Sequence, residues 1–258
     1  PMKCQMVFRL IKEEGLSYKE VAKVLEISRP SLAQIELGNR SIDIFEIQKM
    51  ASILGFSIDE LVNANLTLLS EPEMMYSSIK KTETIRNNVP SFSPNKFNNT
   101  FLYLIEKTAG IPNICEKGVI GRLYLADYNY YELFETHLSS SKYIKRSNFP
   151  LPEGIDKIMQ QLIKNEYLIR VKTKNGKAIF NRIIPLIKSD LKELRASEKE
   201  VIDQVLTQTS NWSLSSIEQY IQDDMPIKIS KENEMIDYEF ALYREAPYSV
   251  RNYESDKT

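Results

Sequence analysis

The sequence predicts a mainly α-helical protein: a five-helix bundle over residues 1–64, a linker over 65–96, and a larger helical domain over 97–258 that carries a small β-hairpin, an α+β arrangement. Three observations lead there. Gly15 to Arg40 holds two short apolar repeats of helical spacing separated by a tight turn. Runs of the same spacing return after Phe97, and an Asn175-Gly176 pair separates two segments of alternating character.

In the first stretch Val21, Ala22 and Leu25 follow Ser17, an N-cap candidate with Glu20 three residues on, so one helix is expected there. Ser28 opens a second. Arg29 and Pro30 fall in a first turn, where a proline without an N–H is harmless, and Leu32, Ile35 and Glu36 carry the helix to a stop at Gly38-Asn39. Ile44, Ile47, Met50, Ala51 and Leu54 give a further helix ending at Gly55, and Ser57 starts a short one over Ile58 to Val62. Two short helices joined by a tight turn suit the placing of the second in a DNA groove. From Ala64 to Lys96 the composition changes: Glu71-Pro72, Asn87-Asn88, Pro90, Ser91, Ser93 and Pro94 read as a tether with one short helix around Met74 to Ile85.

The second half has its own periodicity. Phe97, Phe101, Leu102, Ile105 and Ala109 share one helical face before Gly110-Ile111-Pro112. Val119, Leu123, Tyr124 and Ala126 to Tyr131 make an aromatic-rich helix, and Ile155, Ile158, Met159, Leu162 and Ile163 another. Leu168 to Lys172 and Lys177 to Ile183 flank the Asn175-Gly176 turn as hairpin strands. Ser197 with Glu200 forms a capping box for a helix to Gln208, and Ser213 caps the next, to Ile221.

Composition bounds the functional classes. The chain has 258 residues, 34 basic and 35 acidic, and is 42% hydrophobic, so no global charge favours nucleic acid or membrane and any DNA contact is local. Between Lys3 and Glu60 eight basic residues face nine acidic ones. No run approaches the roughly 18 apolar residues of a membrane span, and the amino terminus has no signal-peptide pattern, so a cytoplasmic location is expected. Pro1 ahead of Met2 reads as the remnant of a cleaved tag. Cys4 and Cys115 have no metal spacing and are expected to be reduced and structural; no cofactor or metal is implied.

The polar residues hold no recognisable catalytic pattern. The chain has one histidine, His137, at a helix end after Glu135-Thr136, and eight glycines, with no zinc-protease pair, phosphate loop or nucleophile elbow. His137 reads as a surface or capping residue, and Asp223-Asp224 as a solvated loop rather than a carboxylate pair. No enzymatic activity is expected.

The words LSYKEVAKVLEIS, SRPSLAQIELGNR and ILGFSIDELV resemble the Cro/repressor type of helix-turn-helix found in phage repressors and many bacterial antitoxins. The resemblance implies a recognition helix that lays Arg29, Ser31, Ala33 and Gln34 against base edges, with Tyr18, Asn39 and Arg40 at phosphates. It also implies a homodimer reading a palindromic operator. Ile11 stands where the family often has an arginine that pairs with the recognition-helix glutamate, here Glu36.

A second resemblance rests on RLYLADYNYYELFETHLSSSKYIKRSNFPLPEGIDKIMQQLIKNEYL, ASEKEVIDQVL, WSLSSIEQYIQDDMP and IDYEFALYREAPYSVRNY, which are similar to the Panacea or SocA-like domain of bacterial antitoxins. Such a domain is held to bind and neutralise a toxin encoded alongside it, while a fused helix-turn-helix represses the operon. Gln222-Asp223-Asp224 and Pro226-Ile227 replace a His-Gly-Asp and a Pro-Trp pair common in relatives, and Phe149-Pro150 a Gly-Pro.

These implications make the chain an antitoxin and autorepressor whose partners are a cognate toxin protein and operator DNA. The alternatives are a stand-alone transcriptional regulator with a sensing or assembly domain, and an adaptor that delivers a toxin to a protease. Tyr124, Tyr128 and Tyr131 fall on one face and are expected in the core. Tyr130 and Phe134 lie to the side, and with Tyr243, Arg244, Tyr248 and Arg251 of the tail they are the candidate toxin contacts. Trp212 is expected to staple the helix after it to the core.

Overall fold

A computed structural model of the chain describes residues 18–54, 92–110, 114–175 and 178–251. Two compact units divide the chain: Pro1–Asn88 with Arg251–Thr258, and Val89–Val250.

In the first unit three helices are described: α1 (Tyr18–Leu25), α2 (Arg29–Leu37) and α3 (Ile44–Leu54). Val21, Ala22 and Leu25 of α1 are buried with Leu32 and Ile35 of α2, as the helical spacing predicts. α2 starts where Ser28 adopts an extended conformation and its Oγ accepts the Ser31 amide at 3.2 Å; it ends at Gly38, whose φ of 80° is left-handed. Asp43 and Glu46 bond reciprocally at the start of α3: the Asp43 amide donates to Glu46 Oε2 at 2.9 Å, and the Glu46 amide to Asp43 Oδ1 at 2.8 Å. The helices expected before Tyr18 and over Ile58 to Val62, the Ser17 cap and the tether helix lie outside the described residues.

The second unit is built round one helix. It contains α4 (Pro94–Thr108), α5 (Glu116–Phe134), β1 (Tyr143–Arg146), β2 (Phe149–Pro152), α6 (Ile155–Lys164), β3 (Leu168–Asn175), β4 (Ala178–Pro185), α7 (Ala196–Gln208), α8 (Leu214–Asp223), α9 (Met225–Ile229) and β5 (Met235–Ile236). Short 3₁₀ turns occupy Leu191–Glu193 and Tyr238–Tyr243. α5 is buried from Gly118 to Glu132 because α4, α7, α8, β2, β4 and the Tyr238–Tyr243 turn all pack on it. Such enclosure needs a small residue at the tightest approach. A methyl group at Gly121 would lie 2.9 Å from Ile217 Cγ2 and 3.0 Å from Ile221 Cδ1 of α8.

Two antiparallel sheets are present among the described residues. β3 and β4 form the expected hairpin, with Asn175 paired to Ala178. The other, in the order β2-β1-β5, was not expected. Its hairpin turns on Ser147 and Asn148, both at positive φ (51° and 57°), and Pro150 and Pro152 lie in edge strand β2. Helix α7 begins earlier than the Ser197–Glu200 pair suggested: Glu198 Oε2 accepts the Arg195 amide at 2.7 Å, which makes Arg195 the cap. Ser213 caps α8 as expected, its Oγ accepting the Ser216 amide at 3.1 Å.

Among the described residues no helix is long and apolar enough to cross a membrane.

Candidate nucleic-acid and partner interfaces

The helix-turn-helix geometry is set by the turn between α1 and α2. Glu26 takes a left-handed φ of 57° there, its amide donating to Lys23 and that of Ile27 to Ala22, and Ser28 then starts α2. Lys49 of α3 reaches back to Glu26 at 2.6 Å.

The predicted DNA residues fall into distinct environments. Arg29, at the first position of α2, is half-buried, and Asn39, just past its end, is exposed. Asn39 donates its side-chain amide to Gln34 Oε1 at 3.1 Å, so the structure joins two of the expected contact residues. Gln34 and Ala33 are themselves buried, as is every residue from Pro30 to Glu36. Ser31 has its hydroxyl 2.8 Å from that of Ser28 and belongs to the cap of α2. Arg40 donates to Glu46 Oε1 at 2.9 Å, with both side chains more than nine-tenths buried, so its charge is already paired within the unit. The side chain of Tyr18 lies outside the described residues, as does Ile11.

In the second unit the aromatic residues of α5 carry a polar interior. Tyr124, Tyr128 and Tyr131 are buried, as their common face predicts, and stack with Tyr143 and Tyr238. Each hydroxyl is used. Tyr124 donates to Asp224 at 2.9 Å, Tyr128 to the Ile236 carbonyl at 2.9 Å and Tyr131 to Glu239 at 2.6 Å; Tyr143 donates to Asp127 at 2.6 Å. Ser139 gives Asp127 two further hydrogen bonds, from its amide and its hydroxyl. These donors pull the Asp127 carboxyl down, but burial outweighs them and holds it at about 6.

The tail residues correct the interface expected from composition. Arg244 is buried: its Nε donates to Asp224 Oδ1 at 2.8 Å, its Nη2 to Asp224 Oδ2, and its Nη1 to Asn129 Oδ1 at 2.9 Å, with Glu132 at 3.6 Å. Burial alone would lower its pKa; Asp224 overcomes this and raises it, so the guanidinium stays charged. Ser249 and the Val250 amide then bind Glu132 at 2.5 and 3.2 Å, strapping the tail to α5. Tyr243 is buried as well, and Tyr130 has its hydroxyl 3.4 Å from Ser197. Their apolar bodies fill the interior, which removes Tyr130, Tyr243 and Arg244 from any surface.

Phe134 stays 47% exposed over the Tyr130 ring at 4.7 Å. Tyr248 is half-buried against Tyr220 at 4.5 Å, and Arg251 is half-buried. Trp212 is half-buried, its ring edge-on to that of Tyr220 in α8 at 4.9 Å.

The lone polar candidates resolve similarly. Asp223 and Asp224 diverge: Asp223 is partly exposed near Lys228, and Asp224 is the fully buried partner of Arg244, so the solvated-loop expectation fails for Asp224. His137 is half-buried between the rings of Tyr131 and Tyr238, with Nε2 lacking a partner among the described residues. Burial lowers it to about 4, so it is neutral at pH 7. Cys115 caps α5, its Sγ accepting the Gly118 amide at 3.4 Å. A second buried cation, Arg122, has only neutral partners: Thr209 Oγ1 and O at 2.9 Å, and the Gly118 carbonyl at 3.1 Å. Thr209 terminates α7, so the guanidinium sits at a helix C-terminus, where the backbone dipole favours a positive charge. Among the described residues no group of three His, Cys, Asp or Glu side chains could hold a metal ion.

Sequence reading passed over the outer face of the β3–β4 hairpin, where Ile169, Val171 and Ile184 are exposed. Its signal was present: Leu168 to Ser189 contains six basic residues and no acidic one.

Two family models match the chain. Residues 8–61 match the helix-turn-helix family and residues 122–226 the family described as antitoxin SocA-like, Panacea domain. The order is the one the sequence motifs imply, with the Asp224 cluster inside the second match and Arg244 beyond it. No curated protein and no solved structure matches the chain.

Proposed function

We propose that this chain is an antitoxin that neutralises a cognate toxin by direct protein contact through its second unit and represses its own operon through its helix-turn-helix. The observation that carries the reading is the occurrence, on one chain and in this order, of a DNA-binding family and an antitoxin-like family. The interior of the second unit favours a binding role. Arg244, Asp224 and Glu132 are buried there and engage one another.

On the DNA side the half-buried Arg29 is the residue to fork onto guanine, and the exposed Asn39, beside the buried Gln34, meets phosphate. The first unit has no excess positive charge, so affinity rests on dimerisation across a palindromic operator. The test is expression of the reading frame adjacent to this gene, with and without this chain. Arrest by the neighbour alone and growth restored by this chain are the expected results; unimpaired growth in both cases overturns the reading.

A further inference from the structure

We propose that the row of cations along strand β3, Arg170, Lys172 and Lys174, is a second nucleic-acid contact, which takes the phosphate backbone of duplex DNA without reading its bases. This rests on the repressor half of the reading above and adds a surface that the helix-turn-helix does not contain.

The register fixes which side chains share a face. Successive strand residues alternate, so Arg170, Lys172 and Lys174 stand on one side, opposite Ile183, Asn181 and Ile179 of β4. At the base of this face Leu168 and Ile183 reach the core, while further out Lys172, Lys174, Asn181 and Ile179 are exposed. Val171, on the reverse side, is exposed as well, so toward its turn the ribbon presents both faces to solvent.

Charge on the first face is one-sided. Arg170 is held by Glu116 at 2.7 Å, whereas Lys172 and Lys174 make no ion pair with a described residue. Leu168 to Ser189 contains six basic residues and no acidic one, in a chain whose net charge is −1. At the rise of a strand the three cations follow one another about 7 Å apart, close to the step between successive phosphates along a DNA strand. A row of one sign and one repeat matches a polymer of one sign and one repeat, which an acidic protein surface does not offer. Unstacked single strands are disfavoured, because the only ring on the ribbon, Phe180, lies opposite Thr173 on the reverse side. Lysine ammonium groups on flexible stems suit phosphate rather than the planar edges of bases. The first unit has a use for such a contact: between Lys3 and Glu60 eight basic residues face nine acidic ones, so it holds no surplus cations with which to neutralise a backbone.

The experiment titrates the full chain, over a range of salt concentrations, into two labelled duplexes of equal length, the promoter segment upstream of this gene and an unrelated sequence. Polyglutamate serves as an acidic-polypeptide probe. Wild type is compared with Arg29→Ala and with Lys172→Gln/Lys174→Gln, the latter at exposed positions whose folding is checked by circular dichroism. The lysine pair is expected to weaken both duplexes by the same factor, roughly tenfold at low salt, and to reduce the slope of log affinity against log salt by about 2. Arg29→Ala is expected to lower only the preference for the promoter segment. A lysine variant with the wild-type salt slope on both duplexes overturns the ribbon contact and leaves the repressor reading standing. A wild-type chain that binds neither duplex overturns both. Loss of polyglutamate binding in the lysine variant, with the DNA slope intact, assigns the row to an acidic protein and overturns the proposal.

Discussion

The exposed side chain of Asn39 holds the amide oxygen of Gln34 at 3.1 Å, so a residue beyond the end of α2 fixes the orientation of one inside it. Gln34 itself is buried, so of the two it is the exposed Asn39 that meets the operator, at phosphate. Asn39→Ala is therefore expected to weaken operator affinity a few fold without changing base preference. Arg29→Ala is expected to cost about 1–3 kcal/mol of discrimination at one base pair. Electrophoretic mobility shifts on single-base operator variants check both. Unchanged base preference in Arg29→Ala would show that α2 does not read the operator with its first turn.

Arg244 and Asp224 form a buried ion pair, and Tyr124 also donates to Asp224. Removing one member strands a charge in the interior, a loss of roughly 3–5 kcal/mol. Arg244→Met should lower the unfolding free energy from urea titration by that amount, and Asp224→Asn combined with it should recover part of the loss. Additive losses in the double variant would show that the two groups do not act on each other.

Two ionisable groups in the second unit oppose each other in acid. His137 falls from an ordinary 6.5 to about 4, so the stability it contributes as a neutral ring is lost as pH drops through that interval. Asp127 rises from 3.8 to about 6, so the folded state takes up its proton first and gains stability as pH drops through the same region. The Asp127 change corresponds to roughly 3 kcal/mol. Asp127→Asn is expected to make melting temperature fall more steeply than wild type between pH 6.5 and 4, and His137→Gln to make it fall less. Parallel profiles in calorimetry would contradict the assignment.

The close approach of α8 to α5 at Gly121 gives a packing test. Alanine there meets Ile217 Cγ2, a β-branched methyl group with little freedom to move. Overpacking of about 1–3 kcal/mol outweighs the roughly 1 kcal/mol that alanine gains over glycine as a helix former. A lowered melting temperature is the expected outcome, and an unchanged or raised one would show that α8 yields.

The helices were legible because their apolar spacing is local, as with Val21, Ala22 and Leu25 or Phe97, Phe101 and Ile105. The β1–β2 hairpin was not, since Pro150 and Pro152 argue against a strand unless it lies at an edge, and edge position is a property of the sheet. The start of α7 was misplaced because Arg195–Glu198 and Ser197–Glu200 have the same spacing and only the former closes. Arg244 resembled an interface residue because its carboxylate partner lies 20 residues away in sequence. Composition alone cannot tell an arginine meeting a foreign carboxylate from one meeting its own.

The most direct test of the claim that this chain holds two macromolecules at separate surfaces is growth and operon repression scored together in cells carrying the adjacent reading frame. Wild type is expected to restore growth and silence an operator-linked reporter. Arg29→Ala should still restore growth while the reporter is released. Loss of growth rescue together with repression in that well-folded variant would contradict it.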